Sequence, residues 1–380
     1  MRERRRPAIG RLRMFVVLTM TITVVTVLSS AYSPSAHAVI FKTFTWTGKG
    51  AKTGDTDWSD GANWKHGKAP TVADGAVILD FPSFLCTKSK PSCNVSTDDL
   101  DGLGVLTINF DGTTARKEQS LDIAGGPIPL YNNITGTTKK VNGASPFLTL
   151  SAPIELEGNQ TWTMNGAALD LEGTVSGDFD LTLDFESQTV AFVDSSGNDV
   201  SSLIVTGAGQ FQLDQGASFN SGGNPVEVSD GAFLEAFESG AAIGSLTSSG
   251  GAIFVYGGLQ VNGAATFDSA SDDNVQLDSD SDPELQATGA ATLASMGVNL
   301  SAECNQPTGT AFTLFDAAGG ISGQLTQGSS MPDPGAVISN DTTIEAPTEG
   351  GGGCTSGSPS YFQFSYGVDT VTATVVAPPT

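Results

Sequence analysis

Apolar and polar side chains alternate in short runs along most of this chain. Examples are Thr161-Trp162-Thr163-Met164, Ala168-Leu169-Asp170-Leu171, Asp180-Leu181-Thr182-Leu183-Asp184-Phe185 and Gln210-Phe211-Gln212-Leu213-Asp214. Gly, Asn, Asp or Ser bounds each run. A period of two places every second side chain on the same face, so these runs predict half-buried β-strands joined by turns. Beyond the N-terminal 38 residues no stretch shows the i, i+3, i+4, i+7 spacing of an amphipathic helix. The fold class is therefore all-β.

The runs also recur. A unit of the form Leu-x-Val/Leu-x-Gly starts near Leu169, Leu203, Leu259 and Leu285, with related starts at Leu181, Val226 and Leu246. In chain order the starts are separated by 12, 22, 23, 20, 13 and 26 residues. The clearest pair is Leu259-Gln260-Val261-Asn262-Gly263-Ala264-Ala265-Thr266-Phe267 against Leu285-Gln286-Ala287-Thr288-Gly289-Ala290-Ala291-Thr292-Leu293. Such steps suit the rungs of a right-handed parallel β-helix, or β-solenoid, in which each unit buries its apolar face only by stacking on the next. A sandwich or jelly roll is the competing all-β architecture.

The chain begins with a basic segment (Arg2, Arg4, Arg5, Arg6, Arg11, Arg13), an apolar run Met14–Leu28 and the small-residue site Ala36-His37-Ala38. These are the parts of a secretory signal peptide, with cleavage expected after Ala38 and no membrane span thereafter. The domain reading is then a signal peptide at 1–38, an N-terminal cap with first strands at 39–145, and an acidic solenoid with closing strands at 146–376. A secreted or cell-surface location follows.

Charge separates the last two parts. Val141–Thr380 carries 29 Asp and Glu residues and no Lys, Arg or His, whereas residues 39–140 hold eleven bases and eleven acids. An acidic surface repels nucleic acid phosphates and anionic membranes. It also lacks an imidazole base, a lysine nucleophile or a cation for a bound phosphate. Cations and cationic partners are its natural counterparts, although the charge also keeps a strand-rich surface soluble.

Four cysteines follow the signal segment. In an exported chain Cys86, Cys93, Cys304 and Cys354 read as disulfides, with Cys86–Cys93 and Cys304–Cys354 favoured by proximity among three possible pairings. Neither pair has the spacing or the histidine of a zinc site.

The head contains Thr45-Trp46-Thr47-Gly48, then Trp58-Ser59-Asp60-Gly61-Ala62-Asn63-Trp64, Ala69-Pro70-Thr71-Val72-Ala73-Asp74 and Val77-Ile78-Leu79-Asp80. This block resembles the start of bacterial exported β-helix proteins of the autotransporter-associated β-strand type. Residues 150–185 resemble the first rungs of the same passengers, and Gly309–Asp316, Ile321–Gly323 and Phe364–Val371 resemble their closing strands. The resemblance implies an extracellular surface, adhesion or matrix role. No C-terminal outer-membrane barrel follows the last strand, so self-export through a barrel is not expected.

Two sets of residues are candidates for binding. Trp46, Trp58 and Trp64 with Asp60 and Asn63 form either an aromatic platform for a sugar ring or a lid on the N-terminal end of the stack. Asp278, Asp280, Asp282 and Glu284 lie in an acid-rich stretch with Asp268, Asp272 and Asp273. Alternate carboxylates on one strand repel, and a loop wrapped on Ca²⁺ would relieve them. Pro283 and Gly289 occupy positions where an EF-hand needs Gly and Glu, so a solvated acidic loop is the alternative. No other cofactor is implied. Paired carboxylates alone can hydrolyse a glycoside, which keeps a carbohydrate-active enzyme as the second reading beside a non-catalytic module that binds glycans or proteins weakly. His66, flanked by Lys65 and Lys68, reads as a loop residue.

Overall fold

The computed structural model describes residues 41–378, apart from 51–53, 83–94, 114–119, 139–145, 188, 238, 278–283, 303–306 and 347–359. The alternating runs become strands stacked in parallel ladders. One ladder has 13 strands and runs from Lys42–Thr45 to Ile321–Ser322. A second has 12 strands beginning at Val95–Asp98, and a third has eight beginning at Ser218–Phe219. These are the first, second and third faces of a parallel β-solenoid. The chain visits them in turn, as in Val226–Ser229, Phe233–Ala236 and Ala241–Ile243.

The repeat starts sort onto these faces. Leu181, Leu203, Val226 and Leu246 pair successively on the first face, so steps of 20–23 residues are whole rungs. Leu259 pairs with Leu285 on the third face, and Ala265 and Thr266 pair with Ala291 and Thr292 on the first. The shorter steps carry the chain between faces, as from Leu169 on the second face to Leu181 on the first. Parallel stacking without a register slip keeps each apolar column inside. Trp162, Leu183, Val205 and Val228 form one such column, all fully buried. Trp162 is therefore core, and its indole N–H donates to Gln160 Oε1 at 2.9 Å.

Corners need their own chemistry, because the backbone leaves one ladder before it joins the next. In the long strand Val175–Phe185 the register shifts between Gly177 and Asp180. Gly177 has φ 143°, and a Cβ there would meet Leu156 O at 2.7 Å. Only glycine suits that position. Buried asparagines serve the adjoining corner. Asn198 Oδ1 accepts from Val175 N at 2.7 Å, and its Nδ2 donates to Ser218 O at 2.9 Å and Ser195 O at 3.1 Å. Asn220 Oδ1 accepts from Val200 N at 2.8 Å one rung on. Asn198→Ala is expected to cost about 2–3 kcal/mol in thermal or denaturant unfolding, since it orphans buried backbone groups. Asn198→Asp, which keeps an acceptor but loses the donor, should also destabilise.

The two ends of the described stack differ from its middle. At the C-terminal end Ala311–Ala317 pairs in parallel with Leu285–Ala287 but antiparallel with Thr370–Val376. Ser360–Tyr366 and Thr343–Ala346 continue that antiparallel meander. The closing strands are thus a reversal of the ladder rather than further rungs. At the N-terminal end the parallel ladder already runs through the head, so residues 41–138 supply rungs as well as an aromatic cluster that is compatible with a cap.

Candidate functional site

The head tryptophans come together, with their rings turned inward. Trp46, Trp58 and Trp64 are 6%, 0% and 2% exposed. Trp64 is the centre, packed edge-on against Trp46 at 5.0 Å, Trp58 at 6.3 Å and Phe44 at 6.0 Å between ring centroids. Trp58 Nε1 donates to Ser96 Oγ at 2.5 Å, and Trp64 Nε1 donates to Trp58 O at 2.7 Å. The polar members hold the loop that carries these rings. Asp60 Oδ1 accepts from Ala62 N at 2.9 Å. The buried Asn63 donates through Nδ2 to Asp55 O and Asp57 O at 3.1 and 3.0 Å. Trp58 N also donates to Thr97 O at 2.9 Å, so the loop lies along the first strand of the second face. His66 sits exposed in a turn with φ 67°.

Asp278, Asp280 and Asp282 lie outside the described residues, as do Cys86, Cys93, Cys304 and Cys354. Glu284, the remaining member of the calcium candidate, is 6% exposed immediately before the strand Leu285–Ala287. Among the described residues no three acidic, His or Cys side chains converge in a metal-holding group.

A different constellation forms on the outside of the second face. The strands Ala168–Leu171, Val190–Val193 and Gln210–Leu213 pair so that Leu171, Val193 and Leu213 stack inside. The next residue of each is an acid, so Glu172, Asp194 and Asp214 follow one another on successive rungs, about 4.8 Å apart. Asp122, Asp170 and Glu235 occupy the outward position two residues earlier on their own rungs. Aromatic rings share the face. Phe147 and Phe192 lie 6.0 Å apart, Phe233 and Phe254 5.4 Å, and Phe237 and Tyr256 5.7 Å.

The electrostatics follow from stacking like charges with few donors. Burial, a hydrogen bond with Asp214 and the charges of Asp170 and Glu172 push Asp194 up to about 6. Burial first, then neighbouring carboxylates, also raises Asp170 and Asp122, and burial with the Asp214 charge raises Glu235. Ser151 Oγ lies 2.7 Å from Asp122 Oδ1 and 2.6 Å from Glu172 Oε2, and its single proton serves one of them at a time. Gln212 Nε2 donates to Asp214 at 2.7 Å. Asp170 Oδ1 is buried with no hydrogen-bond partner, and Glu235 is only 8% exposed.

The chain matches no family model, no curated protein and no solved structure. The site therefore rests on its own geometry.

Sequence reasoning passed over this face, although a signal was present. Glu172, Asp194 and Asp214 recur at steps of 22 and 20 residues, the same steps as the apolar starts. Beyond the aromatic pair Phe237–Tyr256 the chain turns onto the third face, where an open groove of about 320 Å³ is lined by Gly240, Gly258, Gln260 and Gln286. No described helix is long and apolar enough to cross a membrane.

Proposed function

We propose that this chain is an exported structural and adhesive β-solenoid that holds extracellular glycans or protein surfaces through many weak contacts. The observation that carries this reading is where the stack is open. An aromatic cluster lies at its N-terminal end and an antiparallel meander at its C-terminal end, while its sides repeat outward positions rung after rung. Repetition along a rigid side suits multivalent attachment, in which several weak sites acting together exceed any one of them. The signal-like segment at 1–38 supports export. The resemblance of the head block and closing strands to autotransporter-associated β-helix passengers supports a surface or matrix role.

A second reading has one observation in its favour. Asp194, raised to about 6 by burial and the neighbouring carboxylates, is shifted in the direction of a general acid in a carboxylate pair. A glycoside hydrolase also needs a second carboxyl group across a sugar ring, at roughly 5 to 9.5 Å. Here the carboxylates stand side by side on one sheet.

One experiment separates the readings. Beads carrying the chain at high and low density are washed over arrayed extracellular polysaccharides and matrix proteins. Adhesion predicts retention that falls more than tenfold when the density is lowered, with the arrayed polysaccharides intact. Absence of retention on every spot would sink the adhesive reading. Reducing ends released by the chain but not by Asp194→Asn would replace it with the hydrolase.

A further inference from the structure

The outer second face carries more acceptors than the described side-chain donors beside it can serve. An ionised carboxylate has acceptors only, and this face stacks six of them. Among the described residues the side-chain donors nearby are already engaged: Gln212 with Asp214, Ser151 between Asp122 and Glu172, and Thr149 with Asp170 at 3.4 Å. Two of these carboxylates are incompletely paired among the described residues. Asp170 Oδ1 is sealed from solvent without a partner. Glu235, nine-tenths buried between Gln212 and Phe254 in the ladder, faces the charge of Asp214 and has no hydrogen bond or ion pair among the described residues. Nothing in Val141–Thr380 can repair this, because that stretch contains no base. Burying a carboxylate without a partner is costly, and no described residue gives this face a cation, so the face suits one brought by a partner.

The geometry selects the kind of cation. A single metal ion would require three oxygens converging on one point, and none of the described residues converge in that way. The charges instead form a line with one rung between members. A linear partner with repeated cations fits a line. Aromatic rings flank the acids, with Phe192 next to Asp170 and Phe254 next to Glu235 in the ladder. Planar guanidinium groups stack on rings while donating two parallel bonds to a carboxylate. A neutral sugar polymer could donate hydroxyl protons, but would leave the mutual repulsion uncompensated.

We propose that the outer second face is a docking strip for an arginine-rich segment of a partner protein, lying along the stack across Glu172, Asp194 and Asp214. The proposal rests on the adhesive reading above and names its partner chemistry.

The test uses the full chain and a fluorescent nona-arginine peptide, followed by anisotropy. Two isosteric triple variants are compared after confirming that both melt as the parent does. One is Glu172→Gln/Asp194→Asn/Asp214→Asn on the second face. The other is Asp184→Asn/Glu227→Gln/Asp230→Asn, the same loss of charge on the first-face side. Docking on the strip predicts at least tenfold weaker binding for the first triple, less than twofold for the second, and weaker binding of nona-lysine by the parent. Equal losses in both triples would mean adsorption to net charge, and would overturn the proposal. So would a chitosan oligomer that binds more tightly than nona-arginine with the same sensitivity to the first triple, since that assigns the strip to an amino sugar. If the first triple still adheres to the array while nona-arginine fails to bind the parent, the docking proposal falls and the adhesive reading stands.

Discussion

Trp58→Ala is expected to lower stability by about 3–5 kcal/mol and to make the chain associate end to end. The first effect is the loss of a large, fully buried side chain that packs against Trp64 in the head cluster. Its indole bond to Ser96 goes too, leaving the buried hydroxyl without that donor. The second effect follows from what the lid covers. The backbone around Trp58 lies on the strand Val95–Asp98, with Trp58 N bonded to Thr97 O and Thr97 N to Thr56 O. That strand begins the second ladder. If the loop lifts, a row of strand N–H and C=O groups becomes available to another chain. Trp162→Ala is the matched control, because Trp162 is also fully buried but lies inside the stack. Both variants should melt early, and only Trp58→Ala should sediment as larger species. A monodisperse Trp58→Ala with an unchanged melt would show that the tryptophan cluster is not what seals the end.

The repeats were legible in the sequence because a parallel ladder imposes its step on the apolar columns. Leu259-Gln260-Val261 and Leu285-Gln286-Ala287 are alike in sequence for the same reason that they stack in register. Alternation reports which residues point inward, but says nothing about which neighbour a strand chooses. The reversal at Ala311–Ala317 was therefore hidden: its Ala-Phe-Thr-Leu pattern serves a parallel neighbour on one edge and an antiparallel one on the other. The candidate site was hidden differently. Acids scattered over 240 residues look like a solvated surface until the rung step is applied to them as well as to the leucines. Once the step is applied, Glu172, Asp194 and Asp214 fall into line. The head tryptophans attracted attention because aromatic clusters serve both as platforms and as cores, and composition cannot tell a buried ring from an open one. Exposure of 0–6% decides how these rings are placed.

The same stacked acids predict that this protein gains stability on mild acidification. Asp98 is 5% exposed, and burial, then the charges of Asp99 and Asp101, push it up to about 6 against the backbone bond from Leu100. Asp194 is also raised to about 6, and Asp57, Asp122, Asp170 and Glu235 are raised. A carboxyl group raised in the folded state holds a proton that the unfolded chain has released. Its stabilising contribution is complete below the unfolded value near 3.8 and disappears as pH rises through about 6. Two groups oppose this: Asp74, lowered to about 2 mainly by its bond with Lys42, and Asp268, lowered by the donors around it. Their contribution fades only as pH falls below about 4. Between about pH 4 and 6 the raised groups act alone. Asp98 by itself contributes about 1.4 kcal/mol at pH 5 relative to pH 7.5. The exposed Asp194 adds a smaller, solvent-screened share. The expected result is a melting temperature about 2–3 °C higher at pH 5 than at pH 7.5. Asp98→Asn, which keeps an acceptor for Leu100 N but cannot titrate, should remove part of that rise and flatten the curve. A melting temperature that falls steadily from pH 7.5 to 5 would mean that the acids are solvated and do not constrain one another. In that case the second face would have no unmet charge to offer a partner.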